Sequence, residues 1–218
     1  LWDGVLEEYD NILYMPLSSG LSGSYSTAAM LAQEEKYKEK VYVVDHGRIS
    51  TPLHQSIFDA LEMIEEGLSA SEIKLKLEQA KQKMAIFIAV DDLKYLRRGG
   101  RISSGAAVAG QILNIKPILS LDIGILELYK KCRGLQKAKK TMIEDIKTIL
   151  SEQYSEEFKN GDIHLLAASS ADDETTQRWV QDIKEAFPGH EVMCDYLSFG
   201  VTCHTGPGAL GTGFSCRP

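Results

Sequence analysis

The sequence lacks several features that would assign it to a common class of protein. No apolar run approaches the ~20 residues that a membrane-spanning helix needs. No metal-ligand spacing is present, so we predict neither a metal nor a cofactor. None of the cysteines forms a Cys-x-x-Cys pair, which argues against a zinc knuckle or a redox dithiol, and we expect reduced thiols in a cytoplasmic protein. There are four: Cys132, Cys194, Cys203 and Cys216.

An excess of positive charge is also missing. The 24 Lys and Arg residues face 31 Asp and Glu residues, giving a net charge of -7. A phosphate backbone would be repelled by such a protein, so nucleic acid is a poor candidate partner. The one basic stretch, Lys130–Lys140, is a local exception. The chain is 44% hydrophobic and 25% charged, as expected for a globular protein with a substantial core.

The sequence begins without an initiator methionine. Leu1–Leu6 open in the middle of a helical pattern, and we therefore expect that upstream sequence is missing.

Residues 1–83 predict an α/β domain, in which strands and helices alternate along the chain. The predicted elements are a buried strand at Asn11–Leu17, a helix at Ser24–Ala32, a strand at Val41–Val44, a helix carrying Ile57, Phe58, Leu61 and Ile64, and a helix at Ser71–Lys83 with Ser71 as its N-cap.

Residues 84–218 predict an α+β domain. The predicted strands are Ile86–Val90, a hairpin of Pro117–Leu121 and Ile125–Lys131 joined by Asp122–Gly124, Ile163–Ala168, Val192–Leu197 and Ala209–Phe214. The predicted helices are Asp92–Arg97, Ser104–Leu113, one carrying Met142, Ile143, Ile146, Ile149 and Leu150, and one carrying Trp179, Val180, Ile183 and Phe187.

Three polar segments carry the candidate chemistry. Leu17–Tyr25 is rich in serine and glycine and precedes a helix, where free backbone N–H groups and hydroxyls can bind an anion or simply cap the helix. It lacks the lysine of a P-loop and does not match the Gly-x-Ser-x-Gly nucleophile pattern. His204 lies in a glycine-rich bend. Asp91 and Asp92 precede a helix and are expected to cap it, and Gly99-Gly100 could project Arg101 outward.

In order and spacing, these segments resemble the DegV family of bacterial fatty-acid-binding proteins. The similar segments are Ser18–Tyr25, Asp91–Ile102, Leu113–Leu119 and His204–Gly208, so the resemblance covers nearly the whole chain. It implies an α/β domain (residues 1–83) and an α+β domain (residues 84–218), with a ligand tunnel between them. The family has a longer N-terminal segment, including a Thr-Ser-Gln-Pro stretch that has no counterpart in this sequence.

The resemblance further implies a lipid carrier rather than an enzyme. A long-chain fatty acid would be bound with its carboxylate at Ser18, Ser19 and His204, in a monomer. In some family members a separate kinase phosphorylates the bound acid, so Arg101 and Arg133 are expected to contact such a partner. His46, Arg48, Pro52 and His54 depart from the small residues that are common in the family after the position of Asp45.

Two other functions are compatible with the residues. Ser19 could be the nucleophile of an acyl hydrolase with His204 as its base. That alternative needs an orienting acid, for which Asp45, Asp91 and Asp92 are candidates. The serine loop could also bind a phosphate or a nucleotide, although the acidic residue that recognises a ribose is missing.

Overall fold

The computed structural model describes residues 1–102, 114–122 and 125–218. The chain divides into two compact units, residues 1–82 with Pro218 (unit 1) and residues 83–217 (unit 2). The helix predicted at Ser104–Leu113 and the tip of the predicted hairpin, residues 123–124, lie outside the described residues.

Unit 1 alternates strands with helices, as its sequence predicts. The elements are α1 (Trp2–Val5), β1 (Ile12–Tyr14), α2 (Ser24–Leu31), β2 (Val41–Val43), α3 (Thr51–Glu65), α4 (Ala70–Gln79) and a 3-10 turn (Ala80–Gln82). The strands β1 and β2 pair in parallel, with Ile12 opposite Val41.

Two local predictions for unit 1 are wrong in detail. The strand predicted at Asn11–Leu17 is only three residues long, and its side chains are half-buried rather than buried. Helix α4 is capped by Ser69 and not by Ser71, because Ser69 and Glu72 form a reciprocal capping box. The Ser69 side chain accepts from the Glu72 N–H, and the Glu72 carboxylate accepts from the Ser69 N–H.

Helix α3 turns its apolar face to solvent. The residues that predict the helix are 41% to 53% exposed, namely Ile57, Phe58, Leu61 and Ile64. The opposite face is buried and largely polar, and it includes Gln55, Ser56 and Asp59. The spacing therefore predicts the helix correctly but not which of its faces is buried.

A buried arginine explains the polar inner face of α3. Arg48 is 0% exposed, and its Nη1 donates to Ser56 Oγ at 2.7 Å and lies 3.6 Å from Asp59 Oδ2. The amide of Gln55 donates to Asp59 Oδ1 at 3.0 Å. Buried charges are tolerated only when they are paired and hydrogen-bonded, so the helix must present polar groups on this side.

Unit 2 is built on one mixed sheet. Its strands are β3 (Met84–Ala89), β4 (Ile115–Asp122), β5 (Ile125–Arg133), β6 (Ile163–Ser169), β7 (Val192–Tyr196) and β8 (Leu210–Cys216). In the described residues they lie in the order β5-β4-β3-β8-β6-β7, antiparallel except for the pair β6 and β7. The predicted hairpin of β4 and β5 is confirmed.

Helices cover both faces of this sheet. They are α5 (Lys94–Arg98), α6 (Leu135–Gln153), α7 (Ser155–Asn160), α8 (Asp173–Ala186) and α9 (Phe199–Thr205). On one face α6 and α8 bury Met142, Ile146 and Trp179, and the Trp179 indole N–H donates to the Gly211 carbonyl at 2.8 Å. On the other face Leu96 of α5 belongs to a second apolar cluster. Here the predicted apolar faces are the buried ones.

Two predictions from composition can be compared with these units. All four cysteines are free thiols, as expected. None of the helices in the described parts of the chain is both long and apolar enough to cross a bilayer.

Candidate functional site: the serine loop and the histidine helix

The serine loop, residues 16–24, connects β1 to α2 in unit 1 and wraps around Ser18. Ser18 is 1% exposed. Its hydroxyl accepts from the Gly20 N–H at 3.2 Å, and its carbonyl accepts from the N–H groups of Leu21 and Ser22 at 3.0 Å. Ser19 lies beside it and is exposed. The two predicted serines are thus distinct: Ser18 shapes the loop, and Ser19 is accessible for binding.

The segment of residues 45–48, which is buried from His46 onward, is hydrogen-bonded to the serine loop. The Ser18 N–H donates to the Arg48 carbonyl at 2.9 Å. The Arg48 N–H donates to His46 Nδ1 at 3.0 Å, so the ring proton of neutral His46 sits on Nε2, which lies 2.9 Å from the Pro16 carbonyl. Burial and the nearby charge of Arg48 lower the pKa of His46 to about 4. His46 is therefore a neutral structural link to the loop.

Asp45 places a negative charge next to Ser19. Burial raises the pKa of Asp45, but hydrogen bonds from Lys81 and Ser19 outweigh it, so the pKa lies below its ordinary value. Lys81 Nζ lies 2.8 Å from Asp45 Oδ2. Asp45 therefore polarises the Ser19 hydroxyl, while the neighbouring imidazole of His46 is engaged at both ring nitrogens by the backbone of Pro16 and Arg48.

His204 lies in the last turn of α9 in unit 2, and not in the bend that its glycine-rich sequence predicts. Gly206 and Gly208, which follow the helix, have φ of 79° and 78° and make the turn instead. The imidazole is partly exposed, yet its Nδ1 is buried and has no hydrogen-bond partner among the described residues. In a Ser-His-Asp triad the acid would be hydrogen-bonded to this nitrogen, and within unit 2 neither Asp91 nor Asp92 is bonded to it.

The predicted acidic pair splits into two roles. The capping prediction is wrong in detail, because the N-cap of α5 is Leu93 and makes no side-chain cap hydrogen bond; Asp92, one residue earlier, accepts from the Lys94 N–H at 2.8 Å. Asp91 instead forms an ion pair with Lys116 at 2.6 Å. Across the described parts of the chain, no group of three or more His, Cys, Asp or Glu side chains could hold a metal ion.

Arg101 and Arg133, the arginines predicted to contact a partner, have different structural environments. Arg101 is exposed, and its Nη1 donates to the Gly99 carbonyl at 2.6 Å. Arg133 is exposed at the end of β5, opposite Ile115. Gly134 follows with φ of 81°, a conformation that favours glycine.

Within each unit the structure brings some of the predicted residues together. In unit 1, Ser18 and Ser19 share one loop with Asp45 and His46 beside it. In unit 2, His204 lies directly against Gly99, the residue whose carbonyl binds Arg101. No described contact connects Arg133 to either group. Sequence reasoning named Asp45 only as a possible orienting acid, and it did not identify the supporting roles of His46 and Gly99.

Comparison with known proteins assigns the family. The model of the DegV family, described as an uncharacterised protein family, matches residues 3–217. The chain belongs to the DegV family.

Relatives of this family resemble the chain in sequence and in fold. A DegV domain-containing protein of Clostridium perfringens is 31% identical over 94% of this chain and 69% of its own length. Protein DegV of Bacillus subtilis is 32% identical over 97% of this chain and 73% of its own length. The fold is therefore the mixed α/β fold of the DegV family.

Two solved structures of DegV proteins are described as fatty acid binding. One, from Thermus thermophilus, has a TM-score of 0.86 and 28% identity and covers 99% of this chain and 74% of that one. The other, DegV from Bacillus subtilis, has a TM-score of 0.79 and 27% identity, with the same two coverages.

Proposed function

We propose that the chain binds a long-chain fatty acid and is a carrier rather than an enzyme. The observation that carries the proposal is the likeness to the DegV proteins of Thermus thermophilus and Bacillus subtilis, which are described as binding fatty acids. In this proposal residues 1–83 and 84–218 act as two domains with the acyl chain in a tunnel between them, and the protein is a cytoplasmic monomer.

The carboxylate is held by Ser19 and His204, with Ser18 ordering the loop that carries Ser19. The exposed position of Ser19 and the partly exposed imidazole of His204 support these roles. Burying roughly fifteen methylene groups would contribute on the order of 12 kcal/mol before the costs of association. A charge-assisted hydrogen bond contributes about 1.5–3 kcal/mol, so the acyl chain supplies most of the affinity and the polar residues fix its direction.

Native mass spectrometry of the purified protein, followed by organic extraction, tests the proposal. We expect a bound long-chain fatty acid. Ser19→Ala and His204→Ala should each lower palmitate affinity by about tenfold or more. Ser26→Ala, on the exposed surface of α2, and His190→Gln, in unit 2, are the matched controls and should bind normally. Absence of lipid together with unchanged affinity in the Ser19→Ala/His204→Ala double variant would refute the proposal.

The carrier presents its lipid to a fatty acid kinase through Arg101 and Arg133. Both guanidinium groups are exposed, which supports access by a partner or a phosphate. Arg101→Ala and Arg133→Ala should retain palmitate but slow its phosphorylation by the kinase with ATP. Normal phosphorylation of both variants would remove this part of the proposal.

The hydrolase alternative rests on the Ser19 hydroxyl, which lies beside Asp45. A serine-reactive phosphonate discriminates the two functions. Covalent labelling at Ser19, abolished by Ser19→Ala, would favour the hydrolase, and we expect no labelling.

A further inference from the structure

Two adjacent glycines end helix α5, and only one of them is required by its own backbone conformation. Gly100 has φ of 65°, and the helix closes with hydrogen bonds from the Arg101 N–H to the Leu96 carbonyl at 2.9 Å and from the Gly100 N–H to the Arg97 carbonyl at 3.1 Å. This is the Schellman arrangement, which favours glycine at this position. Gly99, in contrast, has φ of -77° and ψ of -6°, which any residue can adopt.

The reason for Gly99 lies in a different part of the chain. A Cβ atom at this position would lie 2.0 Å from Nδ1 and 2.6 Å from Cε1 of His204. The imidazole thus occupies the space that a side chain at residue 99 would fill. A second close approach supports the first, since a Cβ at Gly206 would lie 2.5 Å from Cδ2 of Tyr95. The end of α9 therefore packs directly against helix α5.

This packing determines which ring nitrogen of His204 a ligand can reach. Nδ1 of His204 is buried against Gly99 without a partner among the described residues. Either neutral tautomer leaves Nδ1 without a partner, and only the tautomer with its hydrogen on Nε2 places an N–H donor where a carboxylate can accept it. The donor is then Nε2–H, on the ring nitrogen that does not pack against Gly99.

We propose that Gly99 is a positioning residue. Because it has no side chain, the His204 imidazole packs against it with its Nε2–H directed at the head group of the ligand. The selectivity that follows is for a head group that accepts a hydrogen bond strongly, a carboxylate rather than an alcohol. This inference rests on the proposed fatty-acid binding for its ligand, but the position of the ring can be tested without any lipid.

The first experiment compares Gly99→Ala with Gly200→Ala. Gly200 lies on α9 itself, and a Cβ there would meet nothing within 4 Å, so it is the matched control. Nitrogen-15 NMR of the wild-type imidazole in lipid-free protein near neutral pH should show the Nε2–H tautomer. Gly99→Ala should shift the His204 signals and mix the tautomers, whereas Gly200→Ala should not. Wild-type signals in Gly99→Ala, or an Nδ1–H tautomer in the wild type, would overturn the inference.

The second experiment measures binding of palmitate and of hexadecanol. Gly99→Ala should weaken palmitate binding by about tenfold or more, the worth of a charge-assisted hydrogen bond, and leave hexadecanol binding unchanged. Equal losses for both lipids would contradict the inference. If the wild type binds neither lipid, the proposed function fails, while the NMR result still decides the position of His204.

A double-mutant cycle covers the case in which Gly99→Ala is poorly folded. Because the clash is with the imidazole, Gly99→Ala should destabilise the wild type but cost little in a His204→Ala background. Urea denaturation of the four proteins measures this coupling. A penalty that persists undiminished without the imidazole would show that Gly99 serves something other than His204.

Discussion

Helices in the two units of the chain differ in the kind of side chain that they bury. In unit 2, α6 and α8 place their apolar faces on a sheet, and Met142, Ile146 and Trp179 are fully buried. In unit 1, α3 buries a polar group of side chains around Arg48, together with Ala60 and Met63, and leaves four large apolar residues exposed. Apolar spacing therefore locates a helix, whereas the groups that the helix packs against decide which of its faces is buried.

The largest effect is expected from replacing Arg48. Arg48→Met should lower the free energy of unfolding by about 3–5 kcal/mol, because Asp59 would keep a buried charge without its cationic partner. Urea denaturation followed by circular dichroism measures the change.

The matched control removes both charges. Arg48→Met combined with Asp59→Leu should recover much of the lost stability, since a well-packed apolar pair often replaces a buried ion pair at little cost. An Arg48→Met variant as stable as the wild type would mean that the interior of unit 1 does not depend on its polar network.

Acid should weaken unit 1 through His46. Its pKa is about 4 in the folded chain, held down by burial and by Arg48, against 6.5 when it is unperturbed. The stability is fully present above the higher value and is lost as the pH falls through this window, because the unfolded chain takes up the proton first. The loss is roughly 3 kcal/mol by pH 4.

Urea denaturation between pH 7 and pH 4 measures this dependence against that of His46→Gln. The variant lacks the imidazole and should have a shallower pH dependence over the window. If the free energy of unfolding fell equally with pH in the two proteins, His46 would not be the source of the acid sensitivity.

The smallest effect is expected on the outer face of α3. Leu61→Lys should change the free energy of unfolding by less than about 0.5 kcal/mol, because residue 61 is 49% exposed and its substitution leaves no cavity. Leu77→Ala on α4, where the side chain is 0% exposed, serves as the reference and should cost about 2–5 kcal/mol. A large loss from Leu61→Lys would indicate that another surface covers this face in solution.

Much of the fold follows from local patterns in the sequence. The hairpin of β4 and β5 and the helices α6 and α8 are predicted because residues near in sequence share one environment. The capping box at Ser69 was also available locally, since a serine followed three residues later by a glutamate is its signature.

The supporting residues of the candidate site could not be predicted in the same way. His46 acts through the carbonyl of Pro16, and Gly99 acts through the ring of His204, so each role depends on a contact between distant parts of the chain. Sequence motifs identify the serine loop and the histidine, but the distinction between buried Ser18 and exposed Ser19 appears only in the folded loop.

The position of β5 in its sheet suggests a role for its cationic side chains that does not involve a ligand. Among the strands that the structure describes, β5 lies at one end of the six-stranded sheet, and Lys130, Lys131 and Arg133 are exposed along it. An outer strand offers unpaired backbone groups to any second molecule, and repulsion between like charges opposes that pairing. The basic stretch of this acidic protein can therefore protect it from edge-to-edge aggregation, whether or not it also meets a partner.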